Sequence, residues 1–367
     1  MYIAGAMDKP KTSFHALTVA EIRRETRDAV SIRFDVPDAL APHFTFKAGQ
    51  YLTLRAEIGG EDVRRNYSIC AAPAEGVLMV AVKAVAGGKF STYANNVLQP
   101  GDRLEVMPAS GRFTAPFGAE RALSYAAFAA GSGITPILSI LKTVLHSEPA
   151  SRFKLFYANR QSGQIMFAEQ LAALKNRYMD RLEIFHFLSM EEDDVALFNG
   201  RLDARKCAEI VSLLLDPADL DQVFICGPEG MMLGAEAALL AAGVPAETIL
   251  LEFFLSAGPS TAQSESAAAV VQAAAGRRMG ILLDGRKSTV VFDAALGNIL
   301  DSVRAAGMPA PFACKGGVCA TCRAKLVSGE VDMKVNYGLT AEEVTQGYIL
   351  TCQSAPRGDD VVISYDM

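Results

Sequence analysis

The sequence predicts a multidomain chain of mixed α+β and α/β class: an antiparallel β-barrel or sandwich, a parallel α/β domain, and a compact cysteine-bearing block. Three observations predict it. Short alternating runs separated by Pro, Gly and Asp turns fill the first part, and strands alternate with helical stretches in the middle. An Ala/Ser-rich segment then sets off residues 277–367.

Composition bounds the function classes. A chain of 367 residues holds two or three domains, and 50% hydrophobic with 21% charged residues excludes wholesale disorder. The net charge of −6, with both signs interspersed, leaves no basic patch for nucleic acid. No apolar run reaches the roughly 18 residues of a membrane span. Met1–Met7 lacks the basic and apolar regions of a signal peptide, with Met7 an alternative natural start, so the expected compartment is the cytoplasm. Seven cysteines in a reducing compartment are not a disulfide framework, and four of them lie in the last quarter.

The barrel is expected over residues 13–116, with Ser31–Val36, Tyr51–Ala56 and Leu78–Val85 among its strands. Residues 117–254 follow as the α/β domain, with strands at Tyr125–Ala129, Phe153–Tyr157, Leu182–Phe187, Val223–Cys226 and Ile249–Phe253. Residues 255–276 are expected to be a linker, with a helical turn in the Ala-rich half. Within them Ser256–Gly276 contains eight Ala, four Ser and a single charge, Glu265.

The strongest chemical signal is Cys314-Lys-Gly-Gly-Val-Cys319-Ala-Thr-Cys322, a C-x4-C-x2-C run, with Cys352 after 29 intervening residues. Two irons bridged by sulfide need four thiolates, and this spacing is that of a plant-type 2Fe-2S cluster. Gly316 and Gly317 allow the unusual backbone angles a loop around such a cluster requires. Structural zinc favours two paired knuckles, and only one is present.

Further motifs fit a flavin and a nicotinamide. In Arg65-Asn-Tyr67-Ser68 the Tyr ring can stack on an isoalloxazine, the Ser hydroxyl can bond its N5 edge, and the Arg can hold a pyrophosphate. The turn Gly87-Gly88-Lys89-Phe90-Ser91 opens a helix and offers N–H groups to a phosphate, and the two elements together favour FAD. Gly131-Ser-Gly133-Ile134-Thr135-Pro136 follows a strand and begins a helix, the setting of a dinucleotide loop, with Pro136 where a third glycine is usual. Cys226-Gly227-Pro228 ends a later strand, placing Cys226 to line a nicotinamide site, whereas Cys70 and Cys207 read as small core residues. Arg160, where NAD-specific folds place an acid, suits a 2′-phosphate; this favours NADPH and leaves NADH open. Glu183-Ile-Phe-His186 has di-iron spacing, but in a strand those two residues face opposite ways, so no metal site is expected there.

With these motifs in this order, the chain resembles the ferredoxin–NADP reductase superfamily members that carry a C-terminal ferredoxin. Arg64-Arg65-Asn-Tyr67-Ser68-Ile69-Cys70, Asn336-Tyr337-Gly-Leu339 and Gly347-Tyr348-Ile-Leu350-Thr-Cys352-Gln353 resemble the reductase components of phenylacetyl-CoA epoxidases, and steroid and aromatic-ring oxygenase reductases share many of them. The resemblance implies an FAD-binding barrel, a nucleotide-binding domain and a β-grasp ferredoxin, passing electrons from NAD(P)H to the oxygenase component of a multicomponent mono-oxygenase. It implies Ser68, Cys226 and Glu252 as catalytic residues and adds Lys83 to the cofactor-binding set. The chemical logic is that NAD(P)H delivers two electrons together, a 2Fe-2S cluster takes one, and a flavin converts between them. A reductase of a different oxygenase and a non-catalytic redox sensor are the competing readings.

Overall fold

A computed structural model describes residues 13–254 and 268–366. The stretch before Ser13, and the part of the expected linker at 255–267, lie outside the described residues. Ser13–Phe254 forms one compact unit, and the described residues from 268 onward belong to another.

Six antiparallel strands build the barrel: β1 (His15–Thr26), β2 (Ala29–Asp35), β3 (Tyr51–Ile58), β4 (Glu61–Ser68), β5 (Leu78–Lys83) and β6 (Arg103–Val106). Their order is β4-β3-β6-β1-β2-β5, and an Ile69–Val80 bridge draws the two edges together. The alternation read from sequence is what fills the interior: Leu17, Val19, Ile32, Leu52, Leu54, Val80 and Val82 point inward and are fully buried. Helix α1 (Lys89–Asn96) caps this core with Phe90.

The α/β domain is a five-stranded parallel sheet of β7 (Ser124–Ala130), β8 (Arg152–Asn159), β9 (Leu182–Leu188), β10 (Gln222–Gly227) and β11 (Ile249–Phe253). Four helices alternate with them: α2 (Ile134–Ser147), α3 (Ala168–Arg177), α4 (Ala204–Leu214) and α5 (Glu229–Ala241). The order β11-β10-β7-β8-β9 reverses direction between β7 and β10, the switch point outside which an open α/β sheet leaves a ligand crevice. Barrel and sheet share one core, where Cys70 and Phe113 pack with residues of α2. The joint is also polar: Ser139 Oγ donates to the Ala71 carbonyl at 2.6 Å, and Lys142 pairs with Glu75 at 3.1 Å.

The last block has a sheet ordered β13-β12-β18-β14-β16, from β12 (Arg278–Leu283), β13 (Arg286–Val291), β14 (Arg323–Ser328), β16 (Tyr348–Leu350) and β18 (Val362–Ser364). β15 (Val331–Met333) and β17 (Ser354–Pro356) pair separately. The helix Ile299–Ala305 packs into the same core through Ile299, Leu300 and Val303. One boundary differs from the sequence reading. Residues 268–273 are helical, and Val271 and Ala274 are buried in this core, so the end of the expected linker is part of the fold. Two Val in an Ala-rich segment are enough to make one face worth burying.

A flavin edge, a nucleotide crevice and a four-thiol loop

β4 carries the first site. Pairing with β3 puts Tyr67 opposite Leu52 and Ser68 opposite Tyr51, at the strand's end. The Tyr67 ring rests on Phe90 with centroids 5.5 Å apart, and burial raises its phenol while the Arg65 charge opposes the rise. Ser68 is 2% exposed, yet its hydroxyl meets no hydrogen-bond partner, nor does Asn66 Nδ2 beside it. Buried polar atoms without partners are costly, so the protein leaves them for a group that lies against this strand. The N5 edge of a flavin fits that demand.

The neighbouring turn is built on glycine. A Cβ on Gly88 would stand 2.4 Å from Ser91 Oγ and 2.5 Å from a Val85 methyl. Ser91 locks the turn by accepting from the Val85 N–H and donating to the Gly88 carbonyl, both at 3.2 Å. Phe90 supports Tyr67 from inside the barrel, Lys89 is engaged with Glu61 at 2.6 Å on the surface, and Arg65 donates to the Arg64 carbonyl. Lys83 pairs with Asp28 at 3.8 Å. Burial lowers its ammonium, Asp28 opposes this, and the Arg160 charge adds to the lowering, so two cations from different sheets face one region.

The nucleotide loop lies at the switch point. Gly131 has φ 54°, and its carbonyl accepts from the Tyr157 hydroxyl at 3.0 Å. Thr135 Oγ1 donates to the Ser132 carbonyl at 3.0 Å. Ile134 and Pro136 are buried and anchor the start of α2, whose first N–H, that of Ile134, bonds back to the Gly131 and Ser132 carbonyls. Gly133 permits the closest approach: a Cβ there would sit 2.0 Å from the Cys226 carbonyl oxygen. Gly227 is similarly confined, since a Cβ there would stand 2.7 Å from the Met231 methyl, and Pro228 caps α5. Thus the two motifs, almost a hundred residues apart, meet at the ends of β7 and β10.

Cys226 is opposite Glu252 in the β10–β11 register. Burial pushes the thiol well up, and Glu252 adds to it, so Cys226 is a neutral wall rather than a thiolate. Burial also raises the Glu252 carboxyl to about 8, against the pull of Arg112, so it retains a proton at neutral pH. Cys70 and Cys207 are core residues as expected, their thiols pushed up to about 12 by burial. Glu183 pairs with Lys154 at 3.8 Å, whereas His186 lies 6.0 Å from the Tyr157 ring; the strand separates them as predicted.

In the last block the four cysteines converge. Cys319 and then burial push the Cys314 thiol well up, and Cys352 and then burial do the same to Cys322, so the four thiols lie as two neighbouring pairs. Backbone N–H groups of Gly316 and Cys319 aim at Cys314 Sγ at 3.3 and 3.4 Å, and that of Cys314 aims at Cys319 Sγ. Lys315, Gly317 and Ala320 all have left-handed backbone, which is how the loop turns these N–H groups inward. Among the described residues no three or more His, Cys, Asp or Glu close on a single ion. Two separate thiol pairs suit two irons better than one zinc. Sequence reasoning missed Gln353, whose amide donates to Cys352 Sγ at 3.6 Å and to the Lys315 carbonyl at 2.9 Å, and Asn159, whose buried amide has no partner. Gln353 is signalled only by adjacency to a cysteine, and Asn159 by its place before Arg160.

Comparison with known proteins agrees with this geometry. The oxidoreductase FAD-binding domain family matches residues 16–115, the oxidoreductase NAD-binding domain family residues 128–237, and the 2Fe-2S iron-sulfur cluster binding domain family residues 281–357. The chain is 45% identical to one of the subunits of the 1,2-phenylacetyl-CoA epoxidase of Escherichia coli (strain K12), over 97% of this chain and 98% of that one. It is 36% identical to the ferredoxin reductase component of 3-ketosteroid-9-alpha-monooxygenase from Mycobacterium tuberculosis (strain ATCC 25618 / H37Rv), over 95% of each. Phthalate dioxygenase reductase shares the fold, with a TM-score of 0.60 at 23% identity over 96% of this chain and 98% of that one. No helix among the described residues is long and apolar enough to cross a membrane. The chain belongs to the ferredoxin–NADP reductase superfamily, among the NAD(P)H-dependent, FAD- and 2Fe-2S-binding reductase components of multicomponent oxygenases.

Proposed function

We propose that this reductase serves a phenylacetyl-CoA epoxidase in the cytoplasm and takes its electrons from NADPH. The observation that carries the partner assignment is the 45% identity along nearly the whole of both chains, against 36% for the steroid mono-oxygenase reductase. When bound, FAD supplies the two-electron to one-electron conversion and the 2Fe-2S cluster the one-electron exit.

The chain's own residues are assigned accordingly. Ser68 offers its unpaired hydroxyl, and Tyr67 its ring, to the isoalloxazine. Arg65 and the turn Gly88-Lys89-Phe90-Ser91 serve the FAD phosphates. Gly131, Gly133, Ile134, Thr135 and Pro136 shape the coenzyme loop, with Gly227 and Pro228 closing it. Cys226 and Glu252 flank the nicotinamide, Glu252 holding a proton there and both excluding water. Cys314, Cys319, Cys322 and Cys352 each give one thiolate to the cluster. The NADPH preference is supported by Arg160, which stands where an NAD-specific fold places an acid and is close enough for its charge to act on Lys83.

Reconstitution tests both parts. The purified chain should drive phenylacetyl-CoA epoxidation with the epoxidase oxygenase component, at least tenfold faster than it drives a 3-ketosteroid oxygenase. It should favour NADPH, and Arg160→Ala should lose that preference. Equal rates with both oxygenases would refute the partner, and an unchanged NADPH/NADH ratio would refute the role of Arg160.

A further inference from the structure

Three neighbouring strands converge behind one pair of thiols. Cys322 immediately precedes β14, and Thr351 and Cys352 immediately follow β16, one neighbour of β14. Tyr365 immediately follows β18, the other neighbour. From the β16 side, Thr351 is fully buried and its Oγ1 donates to the Cys322 carbonyl at 2.9 Å. From the β18 side, the Tyr365 N–H is fixed to the Leu282 carbonyl at 2.9 Å, and its ring packs into the core that contains Cys322 and Cys352. The Tyr365 hydroxyl is buried and meets no partner in hydrogen-bonding geometry, and the Thr351 side chain beside it already donates its hydrogen to the Cys322 carbonyl.

A phenol buried without an acceptor costs about 1–3 kcal/mol, and the strongest acceptor available at this place is the negative charge of a thiolate-ligated cluster. We propose that Tyr365 is a positioning residue of the cluster, donating its O–H to sulfur on the Cys322/Cys352 side and thereby raising the reduction potential. The inference rests on the assignment of the four cysteines as ligands. The sign follows from charge: a reduced cluster carries one more negative charge than an oxidised one, so a donor stabilises it more.

The test is an EPR-monitored redox titration of the full-length chain carrying Tyr365→Phe. Iron, sulfide and FAD content should be unchanged, while the flavin–cluster electron equilibrium shifts about fivefold to tenfold towards the flavin; tenfold corresponds to 59 mV for one electron. A midpoint equivalent to less than a twofold shift, with the cluster intact, would overturn the proposal. If the variant loses its cluster, 3,5-difluorotyrosine placed at position 365 keeps the shape and strengthens the donor. The midpoint should then rise, and an unchanged one would overturn the proposal. The ligand assignment is judged separately by iron and sulfide content in Cys319→Ser, which should fall; normal content there would remove the assignment itself.

Discussion

Ser68 shows how a single side chain can be set for a partner at the expense of the empty fold. Its hydroxyl is buried and unpaired, which costs about 1–3 kcal/mol until something bonds it. Ser68→Ala is therefore expected to leave the flavin-free protein as stable or about 1 kcal/mol more stable. The same change should slow flavin reduction by NADPH at least tenfold in rapid mixing. Loss of apo stability with an unchanged reduction rate would show that the hydroxyl is structural. Ser68, Tyr67 and the cysteines could be picked out as candidates from sequence because each sits in a motif of recognisable residue types and spacing. It did not display Tyr365 or Gln353, which belong to no spacing pattern and acquire meaning only when β18 and β16 bring them beside β14.

At the scale of elements, the crevice depends on two loops touching. Gly133 and Cys226 come together because β7 and β10 are hydrogen-bonded neighbours in a parallel sheet, with Cys226 opposite Ala129. Gly133→Ala would place a methyl 2.0 Å from the Cys226 carbonyl oxygen, so the loop or the strand must move. The expected cost is about 1–3 kcal/mol in thermal unfolding, with a more than tenfold rise in the KM for NADPH and FAD still bound. A KM within twofold of the wild type would mean the loop does not hold the coenzyme. The strands of this sheet were legible because buried parallel strands are apolar runs with helices between them. The helical turn expected in the Ala-rich segment is present at 268–273, but that its Val271 joins the core of the last block was not legible, because Ala and Gln carry little signal about packing.

The whole molecule divides into a unit that receives electrons from NAD(P)H and a unit that delivers them. Barrel and sheet share a core and a polar joint, whereas the cysteine block has a core of its own. That division is reflected in composition, since residues 256–269 lack the large apolar residues a continuous core would need. If electrons leave only through the thiol-bound cluster, a chain ending at Leu255 cuts the path after the flavin. This truncated chain should retain FAD and reduce ferricyanide with NAD(P)H at close to the full-length rate. With the oxygenase component in excess, it should support less than a hundredth of the full-length substrate turnover. Substrate turnover at the full-length rate would instead take the cluster off the electron path.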